Sequence, residues 1–195
     1  MKNKALILVH GRGATAENIR GFVARQIAIP QDCLVLAPQA PGSQWYPHRF
    51  VEPKEKNEPY LSESLATLDG LVHIAGKEGI APEHILFFGF SQGACLISEF
   101  LKQHPRRYDG AVIASGGLIG TDAEAEAPGS AGSLGQTPVY IGCDHIDAHI
   151  PEERVIATER LLKELGADVE MHLYDGLGHA IHPDAIAFLS ARLKA

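Results

Sequence analysis

Mostly apolar runs alternate with longer amphipathic segments along the chain. The runs are four or five residues long, and we predict that they form six β-strands, Ala5–Val9, Cys33–Leu36, Ile85–Phe88, Ala111–Ala114, Val139–Gly142 and Val169–Leu173. An unbroken apolar run is typical of a strand that is buried on both faces of a sheet. The last run alternates apolar and polar residues, which predicts a position nearer the edge of the sheet.

The segments between these runs have the spacing of amphipathic helices. In the clearest example, five apolar residues follow a 4-3-4-3 spacing that puts them on one helix face, Leu61, Leu65, Leu68, Val72 and Ala75. The predicted helices cover residues 16–28, 61–75, 92–103, 152–165 and 183–193. Strands that alternate with helices of this length indicate βαβ units, so we expect an α/β fold with a mostly parallel central sheet flanked by helices.

Two stretches lack this periodicity and are predicted to be irregular. Residues 38–60 contain prolines at positions 38, 41, 47, 53 and 59, and residues 115–136 are rich in Gly, Ser and Ala. Neither stretch separates two apolar cores, and the chain has no internal repeat. We therefore expect a single domain over residues 1–195, without a separate cap domain.

The composition excludes several classes of protein. Among the 195 residues, 17 are Lys or Arg and 24 are Asp or Glu, which gives a net charge of −7. An acidic chain without a basic run is poorly suited to bind nucleic acid, because phosphate binding needs a dense cationic surface. The longest apolar runs are far shorter than the ~20 residues of a membrane-spanning helix, so no integral membrane segment is predicted.

The cysteines indicate a reducing compartment. Cys33, Cys95 and Cys143 are odd in number, lie far apart and form no CxxC pair. The first residues lead directly into a predicted strand and lack the apolar stretch of a secretory signal. We therefore predict free thiols and a cytoplasmic location.

One segment carries a catalytic motif. The predicted strand Ile85–Phe88 is followed by Gly89–Gly93 (GFSQG), and a predicted helix begins within this motif. A G-x-S-x-G sequence between a strand and a helix is typical of the nucleophile elbow, a strained turn that raises a serine hydroxyl clear of the backbone. Ser91 is therefore the predicted nucleophile. The alternative is a structural serine in a tight turn.

A serine nucleophile needs a general base, and histidine is the usual base near neutral pH. In α/β-hydrolases the triad follows the chain order Ser, acid, His, with the histidine after the last strand. His179 lies there, in a glycine-containing loop, and is the predicted base. His182 is the rival, but it directly precedes Pro183 at a predicted helix start.

The acid is expected in the loop after the fifth predicted strand. Asp144 and Asp147 both lie in that loop, and their spacing alone does not choose between them. The acid has to accept the ring N–H of the histidine and fix its tautomer. The alternative for either aspartate is a role in a turn or as a helix cap.

An oxyanion intermediate needs two backbone N–H donors. One donor is expected at Gln92, directly after the nucleophile. The other is expected in the loop Val9–Gly13, whose glycines let backbone amides approach a ligand. This loop contains neither GxGxxG nor GxxxxGK[ST], so no nucleotide site is predicted.

Five short segments together form a known set of motifs. They are His10–Gly13 (HGRG), Leu36–Ala40 (LAPQA), Gly89–Gly93 (GFSQG), Asp147–Pro151 (DAHIP) and Gly176–His179 (GLGH). They resemble the HGxG, APxA, GFSQG, DPxVP and GxGH motifs of the phospholipase/carboxylesterase family of α/β-hydrolases, which also holds the acyl-protein thioesterases. The resemblance covers nearly the whole chain and implies an α/β-hydrolase fold.

The resemblance also implies roles for individual residues. Ser91 corresponds to the nucleophile, His179 to the base and Asp147, four residues before a proline, to the acid. The amide of Arg12 corresponds to the second oxyanion donor, beside that of Gln92. The family uses no metal and no cofactor. Its members often pair as dimers, so the resemblance allows a homodimer.

The chain departs from the family at two motif positions. Arg12 stands where many members have an apolar residue, and Ala148 replaces the proline after the acid. The segment Gln44–Pro47, followed by Asn57–Pro59, resembles the corresponding sequence of a subgroup of bacterial hydrolases and not that of the eukaryotic thioesterases. In the family this region helps to wall the acyl pocket, which makes Trp45 and Tyr46 candidate pocket residues; packing against the domain surface is the alternative.

Together these features predict a serine carboxylesterase that hydrolyses small or short-acyl carboxylic esters through an acyl-enzyme. The chain leaves little length for a cap, so a shallow, open pocket for a small-molecule ester is expected. Hydrolysis of acyl thioesters or lysophospholipids is the alternative within hydrolases. A ligand-binding module with the same fold is the alternative from another class, and the complete set of Ser, Asp, His and glycine residues argues against it.

Overall fold

Six parallel strands form one central sheet in the computed structural model, which describes residues 2–195. The strands are β1 (Lys4–Val9), β2 (Cys33–Leu36), β3 (Ile85–Phe90), β4 (Gly110–Ala114), β5 (Pro138–Asp144) and β6 (Asp168–Tyr174). The helices are α1 (Ala16–Gln26), α2 (Lys54–Asn57), α3 (Tyr60–Lys77), α4 (Gln92–Gln103), α5 (Asp122–Glu126), α6 (Glu152–Glu164) and α7 (Pro183–Lys194). Short 3₁₀ turns cover Pro41–Ser43 and Pro82–His84.

The strand order β2-β1-β3-β4-β5-β6 changes direction once. The chain moves outward from β1 to β2, crosses back to β3, and then runs steadily to the opposite edge at β6. In open parallel sheets, ligands bind outside the carboxyl ends of the strands at the point of reversal. Here that point lies between β1 and β3, whose last paired residues are Val9 and Gly89. The loop after β1 and the turn after β3 therefore lie side by side.

Alternate residues of the central strands pack into two apolar layers, one on each face of the sheet. In β1, Ile7 and Val9 belong to the layer that contains the buried residues of α3, α4 and α6. Leu6 and Leu8 belong to the layer of α1 and α7. Burial on both faces explains why the sequence of this strand is apolar without interruption.

Helix α4 is enclosed by the rest of the fold. Its residues from Gln92 to Lys102 are all buried, and it packs against β3, β4, α3 and α6. A helix that starts at the end of β3 and is buried on every side has little freedom to shift. The turn that precedes it is therefore held in place by packing.

The local pattern of apolar residues predicted the regular elements well. All six predicted strands and all five predicted helices occur, with ends that differ from the prediction by two residues or fewer. The mostly parallel sheet is confirmed, since every strand pair is parallel. The edge position expected for the last strand is also confirmed.

The two stretches predicted to be irregular contain short helices, so that part of the prediction is wrong. Within residues 115–136, α5 starts with a capping box: Thr121 Oγ1 accepts the N–H of Glu124, and the Glu124 carboxylate accepts the N–H of Thr121. Within residues 38–60, α2 begins at Lys54, whose N–H donates to the same Glu124 carboxylate. The capping box of α5 is a local sequence signal. The hydrogen bond from Lys54 to Glu124, in contrast, joins segments that lie far apart in the chain.

No helix among residues 2–195 has the length and apolar composition that crossing a lipid bilayer requires. The cysteines Cys33, Cys95 and Cys143 are buried and carry free thiols.

Gly93 marks a very close approach between α4 and the sheet. A Cβ atom at this position would lie 2.2 Å from the carbonyl oxygen of Val9 and 2.7 Å from that of His10. At Gly89, a Cβ atom would lie 2.7 Å from the carbonyl oxygen of Gly93. These contacts are with backbone atoms, so both glycines of the G-x-S-x-G motif are required by packing.

Replacing Gly93 by alanine is expected to destabilise the fold by about 1–3 kcal/mol or more, because an overpacked backbone contact must be forced apart. Gly70→Ala is the matched control. This residue lies within α3, and a Cβ atom there meets nothing within 4 Å. Alanine should stabilise the helix by about 0.5–1 kcal/mol at that position. Urea unfolding followed by circular dichroism measures both effects, and a Gly93→Ala variant as stable as wild type would contradict the packing argument.

Candidate active site

Ser91 lies in a strained turn between β3 and α4. Its backbone angles, φ 53° and ψ −120°, are ones that residues with a side chain rarely adopt, and such a conformation costs about 1–3 kcal/mol. The N–H of Ser91 donates to the carbonyl oxygen of Ala114 at the end of β4, at 2.9 Å. This hydrogen bond and the packing of Gly93 hold the turn, which has the geometry expected of a nucleophile elbow.

The side chains of Ser91, His179 and Asp147 form one hydrogen-bonded chain. His179 Nε2 lies 2.8 Å from Ser91 Oγ, and His179 Nδ1 lies 2.8 Å from Asp147 Oδ2 and 3.1 Å from Oδ1. Because an ionised carboxylate only accepts hydrogen bonds, Nδ1 carries the ring proton and Nε2 is free to accept the serine proton. The Asp147 side chain is fully buried, whereas that of His179 is 21% exposed.

Backbone amides hold Asp147 in its ionised form. Its Oδ1 accepts the N–H of His149 at 2.8 Å and that of Ile150 at 3.1 Å. Burial raises the pKa of Asp147, but the hydrogen bonds from His179 and from these amides outweigh it, so the pKa lies below its ordinary value. The carboxylate is therefore negative at neutral pH, where it can stabilise a protonated His179.

Asp144, the other candidate acid, ties two loops together. Its Oδ1 accepts the N–H of Ile146 and its Oδ2 accepts that of Gly178, both at 2.8 Å. These backbone hydrogen bonds lower the pKa of Asp144. Asp144 thereby joins the loop that carries Asp147 to the loop that carries His179.

The rival histidine, His182, caps a helix instead. Its Nδ1 accepts the N–H of Asp184 in the first turn of α7. His179 follows two glycines in the left-handed region, Gly176 at φ 74° and Gly178 at φ 67°. These glycines allow the loop to turn so that the ring of His179 reaches the nucleophile.

The two predicted oxyanion donors lie on elements that meet where the strand order reverses. Gln92 is the first residue of α4, where free N–H groups and the helix dipole favour negative charge. Arg12 lies in the loop after β1, and the neighbouring Gly11 approaches the elbow so closely that a Cβ atom there would lie 3.4 Å from Ser91 Cβ. The roles of these residues, like those of the triad, stay predictions at this point.

The side chain of Arg12 binds residues 44–48, which we call the wall segment. Its two terminal nitrogens donate four hydrogen bonds of 2.9 Å, to Gln44 Oε1 and to the carbonyl oxygens of Tyr46, Pro47 and His48. The side chain therefore fixes the wall segment beside the loop after β1.

Further side chains that the sequence analysis missed hold the same segment. Gln92 Oε1 accepts the N–H of Trp45, and Gln92 Nε2 donates to the carbonyl oxygen of Tyr46, both at 2.8 Å. The Trp45 indole N–H donates to the carbonyl oxygen of His10, and His10 Nε2 accepts the N–H of Ala40. No local pattern signals these contacts, because they join residues 30 to 47 positions apart.

A cleft of about 550 Å³ opens beside Ser91 and His179. Of the two candidate pocket residues, Tyr46 lines this cleft. Trp45 is 2% exposed and packs behind it, with its ring 5.0 Å from that of His10. The opposite side of the cleft is formed by residues 149 and 150, which follow the acid.

The thiols nearest the site are poor nucleophiles. Burial raises the pKa of Cys95 to about 12, and burial together with the Asp147 carboxylate raises that of Cys143 to about 12. Both stay protonated at neutral pH, and the thiolate is the reactive form of cysteine. Among residues 2–195, no three His, Cys, Asp or Glu side chains are grouped in a way that could hold a metal ion.

A parallel sheet with a serine in a strained turn after β3, an aspartate after β5 and a histidine after β6 is the arrangement of the α/β-hydrolases. Within that class, the family model described as phospholipase/carboxylesterase matches residues 1–195, and the chain belongs to this family. A crystal structure of a phospholipase/carboxylesterase from Dyadobacter fermentans matches with a TM-score of 0.92 and 34% sequence identity. The match covers 100% of this chain and 91% of that one.

Curated relatives are more distant. An acyl-protein thioesterase 1 from Eremothecium gossypii is 31% identical over an alignment of 168 positions, which covers 80% of this chain and 68% of that protein. Carboxylesterase SOBER1 from Arabidopsis thaliana is 25% identical over 139 residues, which are 71% of this chain and 60% of that protein. The chain therefore spans about two thirds or less of the length of these two relatives.

Replacing Arg12 by methionine is expected to loosen the wall segment and to lower the free energy of unfolding by about 1–2 kcal/mol. The four hydrogen bonds of Arg12 are lost, and their acceptor oxygens form hydrogen bonds with water instead. Trp45 is the one tryptophan of the chain and lies in this segment. We therefore expect acrylamide to quench its fluorescence more strongly, at temperatures below global unfolding. Arg20→Met, on the exposed surface of α1, is the matched control. Equal quenching in all three proteins would contradict the role of Arg12.

Asp144→Asn is expected to weaken the fold in a pH-dependent way. Because the folded-state pKa of Asp144 is lowered, its stabilising contribution is complete above the unfolded value of ~3.9 and is lost as pH falls through the folded value. The stability difference between wild type and variant should be largest near neutral pH and shrink below pH ~4. Thermal melts across this range measure it, and a difference independent of pH would count against the loop-joining role.

Proposed function

We propose that this chain is a serine carboxylesterase that hydrolyses small, short-acyl esters through an acyl-enzyme. Membership of the family implies a small-molecule ester as the class of substrate. The observation that carries the proposal is the hydrogen-bonded chain from Asp147 through His179 to Ser91. Of these residues, His179 and Ser91 line the cleft.

In the first half of the proposed reaction, Ser91 Oγ attacks the ester carbonyl carbon while His179 Nε2 takes the hydroxyl proton. The carbonyl oxygen becomes negative and accepts hydrogen bonds from the amides of Arg12 and Gln92. The bond to the alcohol oxygen then breaks as His179 gives its proton to that oxygen. The alcohol leaves, and the acyl group stays on Ser91.

In the second half, His179 takes a proton from a water molecule whose oxygen attacks the acyl carbon. The new tetrahedral intermediate breaks its bond to Ser91 Oγ, which regains a proton from His179, and the carboxylic acid is released. Throughout both halves, Asp147 holds the ring in one tautomer and stabilises the imidazolium. None of these steps requires a metal or redox cofactor.

The size and lining of the cleft support short substrates. A volume of about 550 Å³ is in the lower half of the ~300–1,000 Å³ range of small-molecule pockets. Its apolar lining consists of Pro47, Phe50 and Ile150.

Hydrolysis of acyl thioesters is the second candidate, and the similarity to an acyl-protein thioesterase 1 favours it. The acyl-enzyme chemistry is the same, since only the leaving atom changes. Ethyl butyrate and S-ethyl thiobutyrate are a matched pair that isolates this difference. A kcat/KM at least about tenfold higher on the thioester would reassign the main activity to thioesters.

The p-nitrophenyl esters from acetate to palmitate test the proposal by rate and by chain length. We expect the highest kcat/KM among the short chains, and a loss of about 10³-fold or more in Ser91→Ala. A rate that survives Ser91→Ala would exclude the assigned nucleophile. A maximum at the long chains would exclude the short-acyl preference and favour a lysophospholipase.

Asp147→Asn is expected to lower kcat by about 10³–10⁴-fold, because the amide side chain favours the wrong tautomer of His179. Asp144→Asn is the matched control. Its loss should be about 10²-fold at most, since the residue acts on loop position only. Equal losses in steady-state assays of the two variants would overturn the choice of Asp147 as the acid.

A further inference from the structure

The cleft is positively charged, although the chain as a whole has a net charge of −7. Arg12 and Arg49 line it, and Glu52 is the one acidic residue in the lining that the structure describes. Lys56 Nζ lies 2.8 Å from Glu52 Oε2 and offsets its charge. An electropositive cleft in an acidic protein concentrates anions from solution.

Arg49 is the cation in the cleft that is free to bind a ligand. The guanidinium of Arg12 is occupied by its four hydrogen bonds to the wall segment. The guanidinium of Arg49 makes no ion pair and no hydrogen bond within residues 2–195, and the residue is exposed to solvent.

Hydrogen bonds from a buried side chain hold the backbone at Arg49 in place. Asn57, which is fully buried, accepts the N–H of His48 at 2.8 Å and donates to the carbonyl oxygen of Arg49 at 3.3 Å. The position from which the guanidinium extends is therefore fixed before any ligand binds. Such preorganisation lowers the entropic cost of binding.

We propose that the substrate is a short ester whose acyl part carries an anionic oxygen group, such as a carboxylate, and that Arg49 binds this group. This inference rests on the proposed function, because it names the substrate class of the same site. A neutral alkyl ester would leave the guanidinium bound to water only, whereas a carboxylate forms a charge-assisted hydrogen bond with it.

Monoethyl succinate and ethyl succinamate test the charge directly, because they have the same size and differ in a carboxylate against an amide. Ethanol release gives kcat/KM for each. We expect wild type to prefer the monoethyl succinate by about tenfold at low ionic strength, and less at 0.5 M salt, which screens the interaction. Arg49→Gln should bring the ratio close to one. Arg20→Gln makes the same charge change on the exposed surface of α1 and should leave the ratio unaltered.

A wild-type ratio of one or below, or an Arg49→Gln variant with the wild-type ratio, would overturn the anion site.

Binding to Ser91→Ala separates this proposal from the esterase proposal. Calorimetry with this variant compares the affinities for monoethyl succinate and ethyl succinamate without turnover. Tighter binding of the carboxylate that disappears in Ser91→Ala/Arg49→Gln would support the anion site even if wild type hydrolysed neither ester. Equal affinities would overturn the anion site even if wild type hydrolysed both.

Discussion

The backbone contact between Gly93 and the end of β1 is the constraint on which the rest of the site depends. The carbonyl oxygens of Val9 and His10 lie so close to Gly93 that no side chain fits between them. This contact brings the start of α4 against the loop after β1. The nucleophile and both predicted oxyanion donors are thereby fixed relative to one another. The strained backbone of Ser91 is tolerated because the elements on either side of it are held in place.

Around this contact, the loops that carry the remaining site residues are tied to one another by hydrogen bonds. Arg12, in the loop after β1, and Gln92, at the start of α4, both form hydrogen bonds to the wall segment. Asp144 joins the loop of the acid to the loop of the base. The amides that surround Asp147 keep it negative inside the protein, where an unpaired carboxylate would be costly. Catalysis by preorganised groups requires this kind of support.

The arrangement also explains how a cleft forms between two short loops. The wall segment crosses the carboxyl edge of the sheet and supplies Tyr46 and its neighbours to one side, while the turn after Asp147 supplies the other. Because both walls are short loops and not a separate domain, the cleft stays small. Its interior is partly polar, and its charge is set by two arginines. These properties, taken together, favour a small and charged ester over a long lipid.

The sequence predicted the fold because the apolar run of a buried strand and the apolar spacing of an amphipathic helix are both visible in a short stretch of sequence. The elbow at Ser91 and the loop of His179 were also predictable, because the glycines that each of them needs appear in short sequence motifs. The choice of Asp147 over Asp144 needed the family resemblance, because both aspartates contact the same loop, Asp144 at the Gly178 amide and Asp147 at the His179 ring. The capping box of Thr121 and Glu124 is likewise a local signal, since its two residues are three positions apart. The hydrogen bonds of Arg12, Gln92 and His10 were not readable, because each depends on tertiary contacts between segments that are far apart in the chain.

Labelling with a fluorophosphonate, followed by intact mass and peptide mapping, tests the central claim most directly. The reagent reacts with a serine only where a base and an oxyanion site activate it. The account predicts a single adduct on Ser91 in the wild-type protein and no adduct in Ser91→Ala. An adduct on another residue, or a wild-type protein that stays unlabelled while folded, would contradict it.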